Sequence, residues 1–302
     1  MKEIIECVPN FSTSDSEIVK AILDEVRGIE KAYLLDYTYD DYYSRLVVSY
    51  VGNRDSVLSA AINTAKKAIE LINMNKHEGQ HPRIGAVDVV PFIPIRNVEI
   101  EDCVELARKF GRTLTEECGV PIYLYGEAAT KPERNDLDWV RRGEYEKLEE
   151  MMKKPERKPD FGSGSPHPTA GATITGARQV MVGFNVNLGT SNMEIARKIA
   201  KAMHAKKGGL AYVKAMATEI PNKNMTQIGM SITSFEKTPL HRVFELIRIE
   251  ANRYNVPIVS SEFCGLAPLK TITDAAQHYL KIDNLTEDRV LEIAIQRATE
   301  KG

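Results

Sequence analysis

Lys76-His77-Glu78-Gly79-Gln80-His81-Pro82-Arg83-Ile84-Gly85-Ala86-Val87-Asp88-Val89-Val90-Pro91-Phe92-Ile93-Pro94 is the stretch on which the fold turns. From Ala86 to Phe92 the run is apolar except for Asp88, which reads as a central strand covered on both faces. Ahead of it, Gly79, Pro82 and Gly85 break regular structure, so His77, His81 and Arg83 belong to a shaped loop that delivers the strand.

Upstream, Ile4 to Val8 is a short strand that ends at Pro9-Asn10, and Ser12 or Ser14 is placed to cap the helix marked by Ile18, Ile22, Leu23 and Val26. Ala32 to Tyr37 and Leu46 to Val51 follow as an antiparallel pair joined by a tyrosine-dense loop, and Asp55 to Ile72 carries the apolar stripe of an amphipathic helix. Downstream come a helix over Glu101 to Cys118 and a strand over Pro121 to Tyr125. After Gly126 the pattern fades, and Asp160 to Gly171 has the composition of a loop or linker. The second half then spells strand Val180 to Leu188, helix Met193 to Lys206, strands Tyr212 to Ile220 and Met225 to Ser234, helix Leu240 to Tyr254 and strand Pro257 to Ser260.

Both halves therefore follow the order strand, helix, strand, strand, helix, strand. The expected architecture is α/β (α+β), with two ferredoxin-like βαββαβ-type subdomains whose mixed sheets are covered by helices. The expected boundaries are 1–178 and 179–302, with a ligand cleft between the subdomains. On strand Val180 to Leu188 the period of two puts Asn185 and Asn187 on one face and Phe184, Val186 and Leu188 on the other, a face that reads as pocket lining.

Lys plus Arg number 40 against 42 for Asp plus Glu, which offers no net field for a nucleic-acid backbone or a membrane surface and favours a small-molecule substrate. Cys7, Cys103, Cys118 and Cys264 lie far apart and form neither a zinc knuckle nor a disulfide framework. Acidic residues in Met1 to Glu6, where a secretory leader needs an apolar run, and the lack of any span of membrane length predict a cytoplasmic protein.

His77-Glu78-x-x-His81 matches a zinc pattern that works only on a helix, where residues four apart share a face. Gly79 within it and Pro82 after it deny that geometry, and no metal is expected. His81 is then either a hydrogen-bonded core histidine or a general acid/base beside Arg83, able to take a proton from an amine nucleophile and return it to a leaving amine. Arg45, Arg83 and Arg178 lie beside predicted strand ends, where a guanidinium can bind a carboxylate in two-pronged fashion or simply be solvated. His167, His204, His241 and His278 read as structural, and Glu127, Asp136 and Asp138 as solvated.

Several separate stretches, in this order, resemble the glutamate formiminotransferases. They are Glu6 to Ser12, Leu34-Leu35-Asp36 followed by Arg45, His81 to Ala86 with Asp88 to Pro94, Tyr123 to Ala128, Arg142 to Glu146, Pro159 to Gly162, Gly176-Ala177-Arg178, and Gly265-Leu266 before Pro268-Leu269-Lys270. The resemblance implies transfer of a formimino group between N-formimino-L-glutamate and tetrahydrofolate, giving 5-formiminotetrahydrofolate and L-glutamate. It further implies that tetrahydrofolate is a co-substrate, that no metal takes part and that the protein is a homodimer. It carries the catalytic role onto His81 and folate contact onto Ser163, Gly164, Ser165, Pro166, His167, Pro168, Thr169, Ala170, Gly171 and Ala172. Weaker substrate contacts fall on Asn10, Asp36, Asp40, Arg45, Arg83, Asp88, Arg178, Asn185 and Asn187. Thr38 departs from the pattern, standing where animal members have a carboxylate, and Asp40 is the nearby substitute. In animals the unit resembles the front half of a bifunctional enzyme with a helical cyclodeaminase domain, so a separate enzyme would take the product onward. Formyl transfer to glutamate, a non-catalytic folate binder and a zinc hydrolase are the alternative readings.

Overall fold

The computed structural model describes residues 3–220 and 223–299; Met1 and Lys2 of the amino-terminal stretch read above lie outside them. The chain forms two compact units, Met1–Gln179 and Val180–Gly302.

In the first unit the elements run β1 (Ile4–Cys7), β2 (Asn10–Phe11), α1 (Ser16–Arg27), β3 (Ala32–Asp40), β4 (Arg45–Gly52), α2 (Arg54–Leu71), β5 (Val87–Arg96), α3 (Ile100–Cys118), β6 (Ile122–Gly126), α4 (Leu137–Val140), α5 (Leu148–Met152) and β7 (Thr173–Ala177). The order β5-β1-β4-β3, antiparallel throughout, is the ferredoxin-like arrangement that the alternation of strands and helices predicts. Two parallel strands extend it, because β7 inserts between β5 and β6. β7 was not expected: Thr173-Ile174-Thr175-Gly176-Ala177 is short and follows a glycine- and proline-rich loop, so no period of two stands out.

Helix α1 begins at Asp15, whose carboxylate accepts from the amides of Glu17 and Ile18. The expected caps, Ser12 and Ser14, do not serve. The buried Ser12 instead donates through its hydroxyl to the Gly85 carbonyl at 2.7 Å, tying the start of the chain to the loop that carries His81. The main core lies between the sheet and helices α1 to α3, where Ile22, Tyr50, Phe92, Phe110 and Leu114 are fully enclosed. A smaller core of Ile84, Val89, Tyr123, Tyr125 and Ile174 is covered by Val140, Leu148 and Met152 of α4 and α5. Strand β5 therefore has cover on both faces, and its seven residues from Val87 to Ile93 are buried.

The second unit runs β8 (Val182–Leu188), α6 (Met193–Met203), β9 (Val213–Ile220), β10 (Met225–Ile232), α7 (Leu240–Asn252), β11 (Ile258–Cys264), α8 (Leu269–Leu280) and α9 (Leu291–Thr299). Its sheet order, β11-β8-β10-β9, repeats the ferredoxin-like arrangement and is wholly antiparallel, whereas the first sheet is mixed. Strand β8 alternates as expected, with Val182, Phe184, Val186 and Leu188 buried in its core and Asn185 and Asn187 on the other face. Among the described residues no helix is long and apolar enough to cross a membrane.

Candidate active site

The sheet assembles the site around Asp88, the second residue of β5, whose side chain has no exposed surface. A carboxylate removed from water must be compensated by charge and hydrogen bonds. Arg45 Nη1 donates to its Oδ2 at 3.0 Å, Arg141 donates to both oxygens, and the Ile84 amide donates to Oδ1 at 3.2 Å. Burial pushes the Asp88 carboxyl up, but Arg141 and Arg45 outweigh it and hold the group below the usual carboxylate range. Two guanidinium groups on one carboxylate leave a surplus positive charge at this point. Arg45 Nη2 is taken by the side-chain oxygen of Asn10, which β2 brings between β4 and β5.

His81 stands at the edge of this cluster. Its Nδ1 lies 2.8 Å from Arg45 Nη1 and 2.8 Å from the Pro82 carbonyl. Burial first, and then the charges of Arg45 and Arg141, push the imidazole pKa down to about 3, so the ring is neutral near pH 7. Residues 77–86 are non-helical, as Gly79 and Pro82 require. Gly79 touches the turn after β3 so closely that a Cβ would lie 2.5 Å from the Tyr43 carbonyl.

His77 has both ring nitrogens occupied. Nδ1 accepts from Arg83 Nε at 3.2 Å, which makes Nε2 the donor to the Ser44 carbonyl at 3.0 Å. Neither nitrogen is left for a metal, and among the described residues no group of three or more His, Cys, Asp or Glu is arranged to hold one. Arg83, 5% exposed, is clamped to Glu146 through two parallel bonds of 2.9 and 2.6 Å and to Glu144 at 3.2 Å. Arg83 thus pins the segment after α4 to the histidine loop, while an open depression of about 620 Å³ lies beside the clamp.

Sequence profiles match both halves: one described as "Formiminotransferase domain, N-terminal subdomain" spans residues 4–178, and one described as "Formiminotransferase domain" spans 183–299. A glutamate formimidoyltransferase of Thermoplasma acidophilum is 44% identical over 298 residues, covering 98% of each chain. That of Streptococcus pyogenes is 41% identical over 285 residues, covering 94% of this chain and 95% of its own. The formimidoyltransferase-cyclodeaminase of Mus musculus is 41% identical over 307 residues, which cover 98% of this chain and 57% of the mouse protein. The chain belongs to the formiminotransferase family.

Against that membership the expected residues fall into separate places. Asn10, Arg45, His81 and Asp88 form one cluster. Asp40 lies across the ladder from Arg45 and caps the turn at 41–44 by accepting from the Tyr43 amide at 2.9 Å, because β3 and β4 run further than expected. Asp36 and Thr38 face Ser49 and Val47 in the same ladder. Arg178, just past β7, donates to the Gln179 carbonyl at 3.0 Å and stands by Glu6 and Tyr125. In the second unit Gln227 donates to Asn187, Asn187 donates to Ser260, and Asn185 donates to Glu262, so the expected amide-lined face is present as a hydrogen-bonded network.

The 163–172 segment, expected from composition to be a linker and from the family to be a ligand loop, is a folded turn. His167 and Gly171 exchange backbone bonds of 2.8 and 3.1 Å, and His167 Nδ1 accepts from the Ala170 amide at 3.0 Å. Ser163, Gly164 and Ser165 are exposed at its tip, whereas Ala170 and Ala172 pair with Ala86 and Ile84 beside the histidine loop at 2.9 and 3.0 Å. Sequence reasoning missed Arg141 and the acidic partners of Arg83. The Arg142 to Glu146 match pointed at this neighbourhood, but no local period marks which arginine turns inward.

Proposed function

We propose that this chain transfers the formimino group between N-formimino-L-glutamate and tetrahydrofolate, with His81 as general acid/base. Family membership over nearly the whole chain supports the reaction. The observation that carries the mechanism is the place of His81, whose Nδ1 lies 2.8 Å from Arg45 Nη1 at the edge of the Arg45–Asp88–Arg141 cluster. N5 of tetrahydrofolate attacks the formimino carbon and a new C–N bond forms. His81 takes the N5 proton and returns it to the glutamate nitrogen, the old C–N bond breaks, and L-glutamate leaves as its amine. Orientation of two substrates and one proton shuttle supply the rate. Arg45 receives a glutamate carboxylate, and the 163–172 turn receives the folate. Residues 1–178 form the catalytic subdomain and 179–302 its partner, and the enzyme works as a cytoplasmic homodimer.

The test mixes purified protein with N-formimino-L-glutamate and tetrahydrofolate and follows 5-formiminotetrahydrofolate, with N-formyl-L-glutamate run beside it. Turnover of the formimino donor above the formyl donor supports the reading. The reverse preference moves it to formyl transfer, and no turnover with either removes it.

A further inference from the structure

The two neighbours of His81 Nδ1 make opposite demands. Arg45 Nη1 is only a donor and needs a lone pair on Nδ1, while the Pro82 carbonyl is only an acceptor and needs a proton there, yet each lies 2.8 Å away. One nitrogen satisfies one of them at a time. With Arg45 bonded, the neutral ring carries its proton on Nε2; with Pro82 bonded, it carries the proton on Nδ1 and leaves a lone pair on Nε2. Arg45 can change partners because its other bonds go to Asp88 and Asn10, and Asp88 keeps Arg141 and the Ile84 amide when Arg45 shifts.

We propose that Arg45 is the positioning residue that selects the tautomer of His81, and that a carboxylate of the amino-acid substrate resets it by drawing the guanidinium off Nδ1. This rests on the transferase reading, since it supposes an anionic amino acid at Arg45. While Arg45 holds Nδ1, the Nε2–H form presents a proton donor. When the carboxylate engages Arg45, one proton leaves Nε2 and one arrives at Nδ1 through solvent, with no net uptake. Nδ1–H then donates to Pro82, and Nε2 becomes the base that the N5 proton needs. Pairing of Arg45 with an anion also removes a charge that keeps the imidazole weakly basic, so the base appears only when its substrate is present.

Nitrogen NMR of the full chain labelled with ¹⁵N-histidine, His81 being assigned by its absence from His81→Gln, reads the tautomer directly. Ligand-free protein should show a pyridine-type Nδ1 and a pyrrole-type Nε2, and saturating L-glutamate should reverse them. Arg45→Gln should show the reversed pattern without glutamate and no response to it, and the acidic limb of its kcat/KM profile should move toward neutral pH. An unchanged tautomer in wild-type protein with glutamate, or an Arg45→Gln pattern equal to wild type, overturns the proposal. The wild-type titration decides alone if Arg45→Gln does not fold. Turnover of formiminoglutamate with no tautomer reversal leaves the transferase reading standing and removes the switch; absence of turnover removes the transferase reading itself.

Discussion

Arg45 donates to Asp88 at 3.0 Å inside the first unit, with the carboxylate wholly enclosed. Arg141, at the C-terminal end of α4, completes the compensation. Asp88→Asn would leave two guanidinium groups facing each other without a counter-charge. Loss of one partner from a buried ion pair costs about 3–5 kcal/mol. Urea denaturation at pH 7 should show a fall of that size, and a loss below about 1 kcal/mol, the scale of an exposed pair, would speak against a buried role.

The pH dependence of stability should carry the mark of His81. Its folded pKa, about 3, lies below the ordinary histidine value of about 6.5. Between those limits the unfolded chain binds more protons than the folded one, so stability contributed by the neutral ring is complete above about pH 6.5 and declines as pH falls toward 3. Wild-type protein should therefore lose more stability between pH 7.5 and pH 5 than His81→Gln does. Parallel curves for the two proteins would show that the imidazole is not held neutral by its surroundings.

The two ferredoxin-like orders were legible because helix and strand periods are local properties of the chain. Asn185 and Asn187 fell on the predicted face for the same reason: a single period of two decides them. The non-helical course of His77 to His81 was also legible, since Gly79 and Pro82 act on the backbone where they stand. Arg45 and Arg83 were not distinguishable, both being arginines beside strand ends. Only the tertiary fold gives Arg83 to Glu144 and Glu146 and turns Arg45 to His81. Arg141 was invisible for that reason, because its partner is 53 residues away.

That distinction predicts different consequences for the two arginines. Arg83→Lys keeps the charge but loses the parallel pair to Glu146 and the donor to His77. Because Glu146 is itself largely exposed, the loss should be moderate, about 1–3 kcal/mol. The histidine loop should loosen, so kcat/KM should fall with the shape of the pH profile unchanged. A displaced acidic limb in Arg83→Lys would mean that Arg83 touches the chemistry directly.

His81→Ala separates chemistry from binding. Removal of a positioned general acid/base typically lowers rate by about 10²–10⁴-fold. The turnover number for formimino transfer should drop within that range, while tetrahydrofolate binding, followed by fluorescence titration, stays at the wild-type affinity. Loss of binding together with turnover would make His81 a structural member of the folate site.

Gly85 bridges to Gly171 and sets the histidine loop against the 163–172 turn. A Cβ at this position would lie 2.2 Å from the Ala172 carbonyl oxygen and 2.5 Å from that of Ala170, both backbone atoms that cannot swing aside. The Ala86 and Ala172 amide bonds that stitch the two segments at 2.9 and 3.0 Å flank the same point. Gly85→Ala must therefore part the segments, at a cost of about 1–3 kcal/mol for an overpacked methyl group. If the turn receives folate in register with His81, parting them should raise the KM for tetrahydrofolate more than the KM for formiminoglutamate. Steady-state kinetics with each substrate varied in turn decides it, and an equal rise in both would detach the turn from folate recognition.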